Sequence, residues 1–108
     1  MSLSTTYEQT EPSRAEIASL DGPVVVEFGS PTCGYCRAAQ PHIAQAFAHH
    51  QDVHHLKIAD GSGRPLGRSF NVKLWPTLVF LKDGSESARL VRPDDAAQIK
   101  EALRRIAA

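Results

Sequence analysis

The stretch that most constrains this chain is Ser30-Pro31-Thr32-Cys33-Gly34-Tyr35-Cys36, which holds the only two cysteines. An apolar run, Val24-Val25-Val26-Glu27-Phe28, comes just before it. A helix-forming stretch, Arg37-Ala38-Ala39-Gln40, comes just after. A cysteine pair at a strand-to-helix turn is a setting in which a thiol becomes reactive. The unpaired N–H groups and the positive end of the helix dipole both favour thiolate over thiol. Cys33 is expected at that end. Cys36 is expected one turn further in, within disulfide reach but more covered.

Length and charge narrow the rest. The 108 residues suffice for one domain with one modest core, and residues 1–108 are expected to form a single domain. Lysine and arginine together balance the acidic residues at 12 each, so no charge argument favours nucleic acid or an anionic membrane. No apolar run is long enough to span a bilayer. The N-terminal Met1-Ser2-Leu3-Ser4-Thr5-Thr6-Tyr7 lacks the basic start and apolar centre of a secretory signal. A cysteine pair in a small chain without such a signal reads as catalytic or metal-binding rather than as a structural staple. A zinc site needs about four ligands, and the cysteines supply two. His49, His50, His54 and His55 read as the solvated end of one helix and the start of the next strand rather than as a metal set. No metal and no cofactor is expected.

Local signals set the element order. Residues 1–12 are polar, with Thr5-Thr6-Tyr7 a candidate short edge strand. Ser13-Arg14-Ala15-Glu16 fits a capping box, and Asp21-Gly22-Pro23 ends that first helix. Val24 to Phe28 reads as a buried central strand. Glu27 is the anomaly in it: a carboxylate there either points to an exposed face or is buried for a reason. A second helix is expected from about Cys33 to His50, with Ala39, Ile43, Ala46 and Phe47 on its apolar face and Pro41 inside it. Val53 to Ala59 is a strand candidate, and Leu66 to Phe70 a short helix. Trp75-Pro76-Thr77 opens the strand Leu78-Val79-Phe80-Leu81. Asp83-Gly84 turns it into an antiparallel partner over Ser87 to Val91. Pro93-Asp94-Asp95 starts the last helix, with Ala96, Ile99, Leu103 and Ile106 facing the core. The pattern predicts an α/β fold, a central mixed sheet flanked by helices on both faces.

From about Ser13 to Ile106 the sequence resembles the thioredoxin family. The match is carried by Cys33-Gly34-Tyr35-Cys36 at a helix start with Pro41 later in the helix, by Trp75-Pro76-Thr77 and by the Lys82-Asp83-Gly84 hairpin. Glu27, six residues before Cys33, stands where the family usually carries Asp. The chain departs from the family at Thr32, where tryptophan is usual, at Gly34-Tyr35 in place of Gly-Pro, at Trp75 and at Arg92, near which thioredoxins have glycine.

The resemblance implies a thioredoxin fold and a thiol–disulfide oxidoreductase with a CGYC active site, acting in the cytoplasm. Cys33 is then the nucleophile and Cys36 the resolving thiol. Glu27 is the proton acceptor for Cys36, with a pKa expected to be raised by burial. The Trp75–Pro76 bond is implied to be cis, and Trp75, Pro76, Gly34 and Tyr35 to border the substrate groove. Tyr35 and Trp75 either rim that groove or cover the core edge. Lys57 approaches Glu27 only if the strand register permits, because a slip of one residue sends it to the opposite face. Expected partners are disulfide-containing protein substrates and a reductase or small thiol as electron donor, with the chain a monomer. The rival from a different class is a partner-binding module on the same fold, its cysteines regulatory or dispensable.

Overall fold

The structure, a computed structural model, describes residues 3–107. Four strands lie in the order β2-β1-β3-β4, where β1 is Pro23–Gly29, β2 His54–Ala59, β3 Thr77–Lys82 and β4 Ser85–Val91. β1 runs parallel to β2 and antiparallel to β3, and β3 runs antiparallel to β4. The sheet is mixed because a helix-bearing crossover joins β1 to β2 whereas a tight turn joins β3 to β4. Four helices accompany it: α1 Arg14–Ala18, α2 Gly34–Phe47, α3 Pro65–Ser69 and α4 Ala96–Ile106.

The two faces of β1 sort the core. Val25 points towards α2 and α4, where it packs with Ile43, Phe47, Phe80, Ile99 and Leu103. Val24, Val26 and Phe28 point the other way, onto Ile17 of α1, Leu66 of α3 and Phe70 at the C-terminal end of α3. Alternation along a strand separates the two sets, and burial on both faces explains the unbroken apolar run. The expected apolar faces of α2 and α4 are the buried ones.

Caps and turns follow local chemistry. Ser13 and Glu16 close a reciprocal capping box on α1. Asp95 caps α4 by accepting from the Gln98 N–H. In the β3–β4 turn Asp83 and Gly84 both take positive φ, 50° and 83°. The turn is pinned to the loop after α1, where the Gly22 N–H donates to Asp83 Oδ1 at 2.7 Å. A Cβ on Gly84 would strike the Ala18 carbonyl oxygen.

Most element bounds move by one or two residues from the sequence reading, β4 for instance starting at Ser85 rather than Ser87, and two differences are larger. Thr5-Thr6-Tyr7 forms no strand. The segment is held by isolated bonds instead, with the Glu8 N–H donating to Lys57 O at 2.9 Å and the Ser4 N–H to His55 Nδ1 at 2.9 Å. α2 ends at Phe47 rather than His50, since the chain turns there with the His50 N–H donating back to Phe47 O. Among the described residues no helix is long and apolar enough to cross a membrane.

Candidate active site at the Cys33–Cys36 turn

β1 delivers the chain to the site and α2 receives it. Cys33 is the N-cap of α2, with extended backbone, and its sulfur accepts from the Cys36 N–H at 3.2 Å. Cys33 is half-buried and Cys36 buried, and both are free thiols. Burial works against the Cys33 thiolate. Hydrogen bonds from Cys36 and from the Cys36 and Tyr35 backbone, with the charge of Arg92, outweigh it and hold this thiol below its ordinary value. Cys36 moves the opposite way. Burial, the hydrogen bond to Cys33 and the negative charges of Cys33 and Glu27 push it up to about 12. Gly29 lies directly beneath, and a Cβ there would sit 2.7 Å from Cys36 Sγ and 3.1 Å from the Tyr7 hydroxyl.

Glu27 is fully buried, which decides between the two readings of a carboxylate in this strand. It shares the face of Val25, and the parallel register sets His55 beside Val25 and Lys57 beside Glu27. Both of those side chains therefore reach the same layer as the carboxylate. His55 Nε2 lies 2.9 Å from Glu27 Oε1. His55 Nδ1 already accepts the Ser4 N–H, so the ring proton sits on Nε2 and is donated to the carboxylate. Gln40, one turn along α2 from Cys36, donates to Glu27 Oε2 at 2.9 Å and to the Cys36 carbonyl at 2.8 Å. Lys57 Nζ donates to Gln40 Oε1 at 3.0 Å and stands 3.7 Å from Glu27 Oε2.

This network corrects the expectation that burial would raise the Glu27 pKa. Burial does push it up, but the His55 hydrogen bond, the nearby Lys57 charge and the Gln40 hydrogen bond more than offset that, and the net shift is downward. The histidine reading is corrected too. His49 and His54 are exposed as expected, whereas His55 is 2% exposed and part of the network. Among the described residues no group of three or more His, Cys, Asp and Glu side chains is arranged to hold a metal ion.

The rim is built differently. Tyr35 is 61% exposed and Gly34 is exposed beside it, so Tyr35 covers no core edge. Pro76 is buried and the Trp75–Pro76 peptide bond is cis. Trp75 is half-buried, with its indole N–H donating to Asp60 Oδ2 at 2.9 Å, on the α3 side of the turn. Arg92 takes positive φ, 52°, and its backbone N–H donates to Pro76 O at 2.8 Å. The Arg92 side chain returns over the site. Nε donates to Trp75 O at 2.8 Å, and Cζ lies 3.9 Å above the Tyr35 ring.

Tyr7, Gln40 and His55 were not among the residues the sequence pointed to. Tyr7 reaches the site from the irregular N-terminal segment, with Lys57 Nζ 4.7 Å over its ring. Burial, followed by the negative charges of Cys36 and Glu27, pushes its phenol pKa up, so it remains a hydrogen-bond donor beside the sulfur. A signal for His55 and Lys57 existed. A buried carboxylate demands partners, and alternate residues of the neighbouring strand are the first place to look.

Comparison with known proteins gives one answer. The family model described as Thioredoxin matches residues 4–105. The solved structure of thioredoxin 2 from Pseudomonas aeruginosa PAO1 in its reduced form superposes with a TM-score of 0.85 at 52% identity, covering 96% of each chain. Thioredoxin-2 of Saccharomyces cerevisiae is 33% identical over 87 residues, 81% of this chain and 83% of that one. Thioredoxin Asp f 28 of Aspergillus fumigatus is 29% identical over 87 residues, 81% of each chain.

Proposed function

The chain belongs to the thioredoxin family and is a thiol–disulfide oxidoreductase, and from that premise we propose a protein-disulfide reductase or exchanger that works through Cys33 and Cys36. The observation that carries the proposal is the asymmetry of the two sulfurs, one accessible at a helix N-cap and the other buried behind it.

Cys33 attacks as the thiolate. Its sulfur bonds to one sulfur of the substrate disulfide, and the other leaves as a thiolate that takes a proton from solvent. Cys36 must then lose its proton. Its sulfur attacks Cys33 Sγ, the mixed disulfide breaks, and the second substrate sulfur leaves as a thiolate. The substrate gains two electrons and two protons, one taken from solvent by the first thiolate and one, the former Cys36 proton, returned through solvent to the second, and the enzyme holds a Cys33–Cys36 disulfide. Glu27 serves as the acceptor for the Cys36 proton. Its network with Lys57, Gln40 and His55 keeps it ionised, hence able to accept. Because no hydrogen bond joins its carboxylate to Cys36 Sγ among the described residues, the transfer runs through a water or follows a small movement.

Gly34, Tyr35, Trp75 and Pro76 border the groove for an extended substrate segment. The Trp75 N–H has no backbone partner among the described residues and is free to bond such a segment as an added strand. A reductase or small thiol restores the dithiol. A reducing compartment such as the cytoplasm fits that cycle. The site is complete within one chain, so a monomer suffices. The family match over residues 4–105 and two cores sharing one sheet favour a single domain.

The test is turnover of a protein disulfide with a thiol donor. Cys33→Ser is expected to abolish it, and Cys36→Ser to arrest as a mixed disulfide visible by mass. Turnover that survives Cys33→Ser refutes the assignment. The rival binding module requires a variant with both cysteines replaced by Ser to hold the same partner as tightly as the native chain.

A further inference from the structure

Disulfide exchange at Cys33 makes no direct use of the side chain of Arg92, yet the fold takes trouble to hold it over the site. The residue sits in the left-handed region, at φ 52°, where a non-glycine side chain is uncommon. Its guanidinium has two anchors, the Nε bond to Trp75 O and the stack on Tyr35. Those anchors leave both terminal amino groups without a protein acceptor among the described residues. Among the described residues no carboxylate lies within ion-pair distance of it either, whereas Arg64, Arg89 and Arg104 each have one.

The open edge of this fork borders a hollow of about 250 Å³ that runs from Tyr35 past Ala38 and His42 to Pro93 and Asp94. Tyr35, which lines the hollow, lies between the two cysteines in sequence. The Arg92 charge is felt at Cys33. A guanidinium with its planar fork held in place and its outer donors free matches a carboxylate, and holding it in advance lowers the entropy cost of using it.

We infer that Arg92 is a specificity-determining residue that receives a carboxylate flanking the disulfide of the substrate. The carboxylate belongs either to an acidic side chain of a protein or to a small acidic disulfide. The inference rests on Cys33 being the attacking sulfur. It adds to that role a preference which the sulfurs alone do not create.

The experiment uses the full chain, reduced, against matched peptide disulfides flanked by Glu, Gln or Lys, with oxidised glutathione as the small acidic substrate. kcat/KM is measured at low and high salt. The Glu peptide is expected to exceed the Gln peptide about fivefold at low salt, the size of a well-placed exposed charge pair, mostly through KM. The Lys peptide should fall below both, and salt should compress the series. Arg92→Gln should bring the Glu-to-Gln ratio to about one, and Arg92→Lys should restore part of it. A native ratio of one, or a ratio unchanged in Arg92→Gln, overturns the inference. So does an equal loss on every peptide, the mark of a merely structural residue. Should a variant fail to fold, the native ratio and its salt dependence still decide. A preference shared by glutathione points to the small disulfide, and one confined to peptides points to protein substrates; both uphold the carboxylate. Failure to reduce any peptide sinks the Cys33 chemistry itself, an outcome distinct from reduction without preference.

Discussion

On the floor of the site Glu27 is fully buried, and each carboxylate oxygen has a donor within 2.9 Å. At the rim Arg92 is exposed, anchored through Nε and a ring face, with its outer donors open. The two charges act on different sulfurs of the same pair, Arg92 on Cys33 and Glu27 on Cys36. A buried carboxylate is tolerable only when its hydrogen bonds are complete, so the floor is closed chemistry tied to the stability of the fold. An exposed guanidinium costs little to leave half-used, so the rim can be given to recognition. Removing a floor group should damage the fold, whereas removing a rim group should leave the fold standing and change its reactivity.

The largest effect should come from Glu27→Ala. It strands Lys57 in a layer where that side chain is 5% exposed, and it removes an acceptor from His55 and Gln40. A loss of about 3–5 kcal/mol is expected, read by urea unfolding. A loss under about 1 kcal/mol, the ordinary surface range, would erase the distinction between floor and rim.

The next contrast is between the sulfurs. At pH 8 a thiol near 12 is almost wholly protonated, whereas Cys33, held below its ordinary value, ionises far more readily. The greater nucleophilicity of the more basic sulfur returns only part of that difference. Initial alkylation mapped by peptide mass should favour Cys33 by about tenfold or more. Equal labelling would mean that the two cysteines do not divide the work.

The smallest effect is a slope. The folded pKa of Glu27 lies below its unfolded value. The stability it contributes is therefore present above about pH 4.3, the unfolded value, and drains away as pH falls towards the folded one. Denaturation midpoints of the native chain should drop through that window. Those of Glu27→Gln should drop less, and parallel acid limbs would argue that the network does not favour the ionised form.

The same contrast explains what the sequence disclosed. Val24 to Phe28, the capping box at Ser13, the Asp83-Gly84 turn and the apolar faces of α2 and α4 are short-range signals, and each stands where it was expected. The turn that holds Cys33 and Cys36 is equally local. The floor is assembled from four elements. His55 looked like its neighbours in a histidine-rich stretch, and the parallel register, which no short window contains, separates it from His54. Gln40 is an ordinary helix residue until Glu27 is buried opposite it. Tyr7 arrives from a segment without periodicity. Arg92 was visible only as a departure from the family, and its role follows from its reach back to Trp75 and Tyr35.

One further consequence lies in the position of β1. It is the inner strand of the parallel pair and of the antiparallel pair at once, and Val24 to Phe28 are at most 1% exposed. Amide protons in that strand are expected to be among the last to exchange with solvent. The strand ends at Gly29, and the sulfur-bearing turn hangs from it. Each round of oxidation and reduction can thus reshape the turn and its rim while the most deeply held strand of the molecule keeps its place.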